Sequence, residues 1–380
     1  MNCKKILVLL SFVTFLISTI NAQEASPPTS MLRDTLDGKF DFSRFIIDAK
    51  GFLPVLMLIT EPALGGIGVA AAPLFLTPKE SEDPTQYVPP DITAGFAMYT
   101  GNNSWMIGAG RIGTLPKVGL KYRMGVGYGN INLSFYRNFI RLGERERPFS
   151  INTLPIFGSL SKSIGTSNIY LGLSYLFLRS KLSPNFEGEV PPFITPKELD
   201  NHTATLSTFI EVDKRDNIFT PDQGYRLNLS YGIDASWTGS DFNYQRITAT
   251  FNWFLPLRKG WVSGLRFETQ HVFDDPPFYL LPSVIIRGIP AARYQGETLV
   301  LLETEQRYDF TLRWSGLVFG GLGKAAQDSQ SLLDAKTVYS GGGGFRYLLA
   351  RAFKIRAGVD VAVGSGGWGY YIVFGHNWNR

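Results

Sequence analysis

The sequence has little cysteine, little charge and no long apolar run beyond its start. Its single cysteine, Cys3, lies near the N-terminus, so the rest of the chain has no disulfide and no thiol chemistry. After residue 22, no apolar run reaches the roughly eighteen residues that a membrane-spanning helix needs. Charged residues make up only 18% of the 380. The basic ones are dispersed along the chain rather than clustered, so nucleic acid is not indicated as a partner.

Catalytic and metal-binding patterns are also missing. The three histidines, His202, His271 and His376, lie far apart and lack the spacing of a metal site. There is no Gly-x-Ser-x-Gly elbow and no phosphate-binding loop. We therefore expect no enzyme activity, no metal and no cofactor. We expect His271 and His376 on the outward face of their strands.

The first 22 residues have the pattern of a secretory signal peptide. Lysines precede an apolar run from Ile6 to Ile17, and small or polar residues follow to Ala22, where we expect cleavage. Residues 23–50 form a polar periplasmic segment in which Phe42, Phe45 and Ile46 suggest a short helix. This segment either tucks against the near opening of the following domain or forms a loosely ordered tail.

Residues 51–380 predict an all-β transmembrane antiparallel barrel of about sixteen strands. Forty glycines, 28 phenylalanines, 17 tyrosines and 7 tryptophans suit a barrel with aromatic girdles. Alternation supports this class, because Glu303, Glu305 and Arg307 share one face of a strand whose other face is mostly apolar. The predicted strands are 51–61, 65–76, 91–101, 104–113, 120–138, 148–164, 168–182, 203–215, 224–238, 243–256, 260–275, 298–311, 313–323, 337–349, 354–363 and 367–378.

The lengths of the connections predict the orientation of the barrel. Residues 257–260, the turn near Thr311 and residues 350–353 are tight connections, whereas 183–202, 276–297 and 325–336 are long. Short periplasmic turns and long external loops are typical of outer membrane barrels. The connection 77–90 departs from this pattern, because it is long on the side that we assign to the periplasm.

Four stretches together resemble the outer membrane assembly and translocation superfamily that includes BamA, TamA and the two-partner-secretion transporters, also called the bacterial surface antigen family. The stretch SVIIRGIPAARYQGE resembles its lid-loop motif, FTPDQGY its periplasmic turn, EQRY its Glu-x-Arg strand, and GYYIVFGHNW its final strand. The corresponding residues are Arg287, Gly288, Ile289, Arg293, Tyr294 and Gly296 in the lid loop; Glu303, Glu305 and Arg307 as its partners in the lumen; Phe219, Pro221 and Gly224 in the turn; and Tyr370, Ile372, Phe374 and Trp378 at the seam.

The resemblance implies a barrel whose loop between strands 11 and 12 folds inward. Arg287 would pair with Glu303 or Glu305, and Gly288 would let the loop backbone approach the wall closely. The stretch 319–323 has glycine where many members carry an acidic partner for this arginine. Only about thirty residues separate the signal peptide from the first strand, too few for a POTRA domain.

The implied function is insertion, assembly or translocation of proteins, or of lipid, at the outer membrane. The first strand (51–61) and the last (367–378) would form a weak seam that templates a client strand. Expected partners are outer membrane lipid including lipopolysaccharide, a client outer membrane or exported protein, and an unknown periplasmic protein. The alternative is a passive pore or a structural barrel, as a monomer or an oligomer, with the Arg287 loop as its plug.

Overall fold

Sixteen antiparallel strands make up most of the described chain. The computed structural model describes residues 31–48, 51–77, 91–115, 118–139, 143–165, 167–188, 194–327 and 330–378. The expected signal peptide and the connection 78–90 lie outside these residues. The strands are β1 (Phe52–Ile59), β2 (Gly68–Thr77), β3 (Asp91–Thr100), β4 (Trp105–Leu115), β5 (Leu120–Phe139), β6 (Gly143–Ser163), β7 (Ile169–Pro184), β8 (Asp200–Asp213), β9 (Gly224–Asp234), β10 (Tyr244–Arg258), β11 (Trp261–Asp274), β12 (Thr298–Asp309), β13 (Trp314–Ala326), β14 (Val338–Ala350), β15 (Ile355–Gly364) and β16 (Gly367–Phe374).

Each strand pairs with the next one along the chain, so the sheet runs from β1 to β16 without a crossover. The sheet curls into a nearly closed barrel, which confirms the predicted fold and the count of sixteen strands. In the described part of the chain, two short α-helices accompany it, α1 (Ser43–Ile47) and α2 (Pro196–Leu199). Among the described residues, no helix combines the length and the apolar character needed to span a bilayer.

The alternation of side chains separates an apolar outer face from a mixed interior. On β12, Leu302 and Tyr308 are 51% and 54% exposed on the outer face, whereas Glu303 and Arg307 on the inner face are buried. Because strand side chains have a period of two, alternate residues of one strand face the lipid and the lumen. Towards the β11–β12 loop, the inner face of β12 becomes apolar at Leu299.

The interior is filled from both ends of the barrel. The β11–β12 loop, residues 275–297, enters from the end with the long connections and is called the lid loop here. From the other end, the β8–β9 turn, residues 214–223, reaches across to β12 and β15, since Arg307 pairs with Asp222 and Lys354 with Asp216. The chain after β16 also turns inward at this end.

The predicted final strand, 367–378, is too long, because β16 ends at Phe374. Gly375 has a φ of +74°, and the His376 N–H donates to the carbonyl of Phe219 on the β8–β9 turn. The expectation of an outward His376 is therefore wrong: its ring is buried and packs against Phe254. A glycine in the left-handed region reverses the chain and takes the last residues off the sheet.

Candidate functional site

Arg287 anchors the lid loop to the wall of the lumen. Its Nη1 donates to Asp360 Oδ2 on β15 at 2.6 Å, and its Nη2 donates to Glu305 Oε2 on β12 at 2.9 Å. The guanidinium also lies 3.4 Å from the centroid of the Phe319 ring on β13. Arg287 is only 1% exposed. A planar cation held by two carboxylates and one ring face fixes both the position and the orientation of the loop.

The wall behind this anchor has glycine where a side chain would collide. A Cβ on Gly344 of β14 would lie 2.1 Å from Asp360 Oδ1, and a Cβ on Gly342 would lie 2.6 Å from the Phe319 ring. On the far side of the anchor, Arg346 donates to both oxygens of Asp360, at 2.5 and 2.9 Å. The glycine run in β14 thus provides room for the aromatic and acidic partners of Arg287.

Gly288 places the loop backbone directly against β15 and β16. Its N–H donates to the hydroxyl of Tyr371 at 2.7 Å. Its φ is +85°, and an added Cβ would lie 3.2–3.3 Å from atoms of Val363, Ala362 and Gly364. Glycine is required here both by the backbone conformation and by the close approach.

The rest of the lid-loop motif joins the loop to opposite sides of the barrel. Ile289 is buried in an apolar cluster with Val284, Ile286, Leu299, Leu301 and Val338. Arg293 and Tyr294 donate to the carbonyls of Gly366 and Ser365 in the β15–β16 turn, at 2.7 and 3.1 Å. At its start the loop inserts Phe278 among the buried side chains of Phe135, Phe149, Leu182, Ile194 and Ala292.

The remaining predicted residues form other contacts. Glu303 pairs with Arg266 on β11. Arg307 pairs with Asp222 of the β8–β9 turn and with Asp309, so it holds the periplasmic turn rather than the lid loop. A Cβ on Gly296 would lie 2.3 Å from the carbonyl oxygen of Ala326.

Asp360 is the functional residue that sequence reasoning missed. It lies on the inner face of β15, whereas its neighbours Val359 and Val361 point to the outer face. This alternation was the only feature of the sequence that indicated an inward Asp360.

The periplasmic turn closes the other end of the lumen. Its Pro221 carbonyl accepts from Arg307 Nη1 at 3.3 Å. Gly224 has a φ of +100°, and a Cβ there would lie 2.1 Å from the carbonyl oxygen of Lys214. Burial acts to raise the pKa of Asp216, but hydrogen bonds from Lys354 and from the backbone of Asp222 outweigh it and hold this pKa below its usual value.

The seam between β1 and β16 is the one break in the circle of strands within the described residues. No backbone ladder joins the two strands there. Bonds across it include one from the Ile372 N–H to Thr60 Oγ1, at 3.0 Å, and one from the Tyr370 hydroxyl to the Gly66 carbonyl, at 3.0 Å. Tyr370 and Phe374 lie on the outer face, 37% and 43% exposed.

Trp378 lies inside the lumen, away from the seam where the sequence placed it. Its ring is 4% exposed and lies 5.7 Å from that of Phe254, between ring centroids. It also borders a lumen cavity of about 260 Å³ lined by Arg226, Asn228, Thr250, Asn252, Arg266, Glu268 and Ile285. Over the described parts of the chain, no group of three or more His, Cys, Asp or Glu side chains is placed to hold a metal ion.

Comparisons with known proteins agree with this architecture. Residues 160–279 match the model of the Omp85 superfamily domain. No curated protein matches the sequence. BamA from Haemophilus ducreyi, in a form lacking POTRA domains 1–3, superposes with a TM-score of 0.59 at 15% identity, covering 86% of this chain and 69% of that one.

Two CdiB structures have the same fold. For CdiB from Escherichia coli the TM-score is 0.57 at 9% identity, covering 84% of this chain and 62% of that one. For CdiB from Acinetobacter baumannii the values are 0.53 and 10%, with coverage of 93% and 72%. The match over residues 160–279 and the barrel fold shared with BamA and CdiB confirm the resemblance seen in the sequence.

Proposed function

We propose that this barrel inserts or assembles client proteins at the bacterial outer membrane by adding a client strand at the β1–β16 seam. The proposal rests on the seam. Within the described residues, this is where the edge strands β1 and β16 have no paired strand beside them. Unpaired strand edges template further strands through main-chain hydrogen bonds. The resemblance to BamA and CdiB, which both have this fold, supports protein insertion or translocation as the class of activity.

Because the lumen is filled, we expect a client polypeptide to use the seam rather than a path through the centre of the barrel. The lid loop is held on β12 and β15 by Arg287, and the β8–β9 turn is held by Arg307 and Lys354 at the opposite end. The two buried ion pairs of Arg287 and the partly exposed pairs of the turn would have to separate before a polypeptide could pass through the centre. Breaking a buried pair is costly. The predicted alternative, a passive pore plugged by the Arg287 loop, needs the same rearrangement.

The proposed partners follow from this route. The outer face would contact outer membrane lipid, including lipopolysaccharide, and the seam would contact an unfolded outer membrane or exported protein. A periplasmic protein would deliver that client. No catalytic residue, metal or cofactor is needed, since pairing of backbone groups drives strand addition.

A disulfide across the seam tests the proposal. Thr60 and Ile372 are adjacent across it, because the Ile372 N–H donates to Thr60 Oγ1. The double variant T60C/I372C, expressed with Cys3 removed by signal cleavage, is reconstituted in vesicles with an unfolded eight-stranded outer membrane barrel as client. We expect oxidation to abolish accelerated folding of the client and reduction to restore it.

The control places a disulfide within the sheet, at I210C/L229C, where the two residues pair directly on β8 and β9. Oxidation of this control should leave client folding unchanged. Client folding that continues at the wild-type rate with the seam locked would overturn the proposal. Loss of activity in both oxidised variants would show that general rigidity, rather than the seam, matters.

A further inference from the structure

The segment before the barrel is docked on the outside of its periplasmic rim. Arg313, in the β12–β13 turn, donates to Asp34, Asp37 and Asp41 at 2.5, 2.6 and 2.6 Å. The Phe42 N–H donates to the carbonyl of Leu349 at 2.7 Å, at the irregular end of β14. These contacts hold residues 31–48 against the β12–β13 turn and the end of β14.

The position of Tyr347 shows which side of the wall this segment occupies. Tyr347 is on the outer face of β14, where its ring packs against Trp314 with centroids 4.9 Å apart, and Trp314 also contacts Phe345. The Tyr347 hydroxyl donates to the carbonyl of Phe40 at 2.9 Å. Phe40 therefore lies next to the aromatic side chains on the outer face, at the end of the strands. Membrane barrels have their interfacial aromatic girdle at this level.

The docked segment exposes large apolar side chains instead of burying them. Leu36 is 67% exposed, Ile47 63%, Met31 51% and Phe40 44%. The three aspartates between them point the other way, towards Arg313. Such a concentration of exposed apolar side chains over so short a segment indicates a surface that is covered by something else.

The charges on the same segment indicate what covers it. Arg33, Lys39 and Arg44 form no ion pair within the described chain, whereas the carboxylates of Asp34, Asp37 and Asp41 are held by Arg313. Arg33 and Lys39 are also exposed, next to Leu32 and Phe40 in the chain, so apolar and basic side chains share the exposed part of the segment. That combination suits the boundary between the headgroups and acyl chains of a bilayer containing anionic phospholipid.

We propose that residues 31–48 lie in the periplasmic leaflet of the outer membrane as an interfacial anchor. Leu36, Phe40 and Ile47 enter the acyl region, and the basic side chains contact phospholipid phosphates. Arg313 acts as the clamp that sets the depth of the segment, because it ties the acidic side of the segment to the barrel. The anchor does not depend on the proposed client insertion.

Depth-dependent quenching tests the anchor. The exported chain has no other cysteine once Cys3 is removed with the signal, so L36C and I47C each accept one environment-sensitive fluorophore. The full barrel is reconstituted in vesicles of phosphatidylcholine and phosphatidylglycerol that carry nitroxide-labelled acyl chains. We expect strong quenching at both positions, with fitted depths of about 5–10 Å below the headgroups.

The matched control is L333C, on a leucine that is 86% exposed in the β13–β14 loop at the opposite end of the barrel. It should be quenched by iodide in the water and not by the lipid nitroxide. If the labels at positions 36 and 47 behave like the one at 333, the lipid anchor is wrong and a periplasmic protein is the better occupant. A triple variant R33Q/K39Q/R44Q should lose the preference for phosphatidylglycerol vesicles, and an unchanged preference would contradict the role of the basic residues.

Discussion

Arg287 and Asp360 are 73 positions apart in the sequence, yet their side chains meet at 2.6 Å in the interior of the barrel. Through this pair a loop that begins and ends at β11 and β12 is bound to β15, close to the seam. Asp360 also accepts from Arg346, so two buried guanidinium groups share one carboxylate, and Glu305 supplies a second carboxylate to Arg287. The lid loop is thus bonded directly to the last two strands, at Asp360 and at Tyr371.

Replacing Arg287 by alanine should release the lid loop. The change leaves Glu305 without the partner that it has in the lumen, and removing one member of a buried pair costs about 3–5 kcal/mol. We expect faster cleavage of the loop by trypsin at Arg293 and a lower unfolding temperature. Arg258 is exposed at the end of β10, and R258A should change neither. Equal cleavage of wild type and R287A would contradict the anchoring role.

Gly288→Ala should destabilise the same loop for a backbone reason. An alanine at a φ of +85° is strained by about 1–2 kcal/mol, and its Cβ would press on β15. The control is G158A, where an added Cβ meets nothing within 4 Å. The unfolding free energy in urea, measured in detergent micelles, should fall for G288A alone. A matching loss in G158A would show that the effect is not specific to the loop.

Acidification should undock residues 31–48. A hydrogen bond from Arg351 is the main reason that the pKa of Asp34 lies well below its usual 3.8, and one from Arg313 is the main reason for the lowered pKa of Asp37. Carboxylates with lowered pKa values stabilise docking above pH 4, and this stabilisation is lost as the pH falls through the lowered values. Hydrogen exchange of the amides of residues 31–48, followed at a series of pH values, measures how firmly the segment is docked. Protection that stays constant down to pH 2 would refute this account.

Trp378→Ala should loosen the chain end from the lumen. The tryptophan is almost fully buried against Phe254 and above Gly264, and removing such a side chain costs about 3–5 kcal/mol. The matched control is W368A, because Trp368 is 70% exposed on the outer face of β16. Thermal unfolding followed on heated gels should shift for W378A and much less for W368A. A larger shift for W368A than for W378A would show that the tryptophan on the outer face contributes more to stability.

The wild-type barrel should show little steady conductance in planar bilayers. The lid loop and the β8–β9 turn occupy opposite ends of the lumen, and both are held by ion pairs. Deleting residues 280–292 should open a stable current by removing the upper obstruction. A large, steady current from the intact protein would favour the passive pore over the filled barrel.

Much of the barrel follows from local chemistry, which is why the sequence predicted it. Alternation on β12 assigns Glu303 and Leu302 to opposite faces, because a strand has a period of two whatever surrounds it. A contact of Arg287 with Glu303 or Glu305 was also predicted, but from the family resemblance, and the structure shows the one with Glu305. The end of β16 was predicted wrongly, since the aromatic pattern continues to Trp378 while Gly375 turns the chain inward.

By itself, the sequence determined the class of fold, the sixteen strands and the two faces of the wall, because each depends on neighbours within a few residues. Only the tertiary structure decided that Asp360 completes the Arg287 site, that Trp378 lies in the lumen and that Arg313 gathers three aspartates. These contacts join positions far apart in the chain, and closure of the sheet is what brings them together. No local pattern records which inward side chains will meet across a barrel.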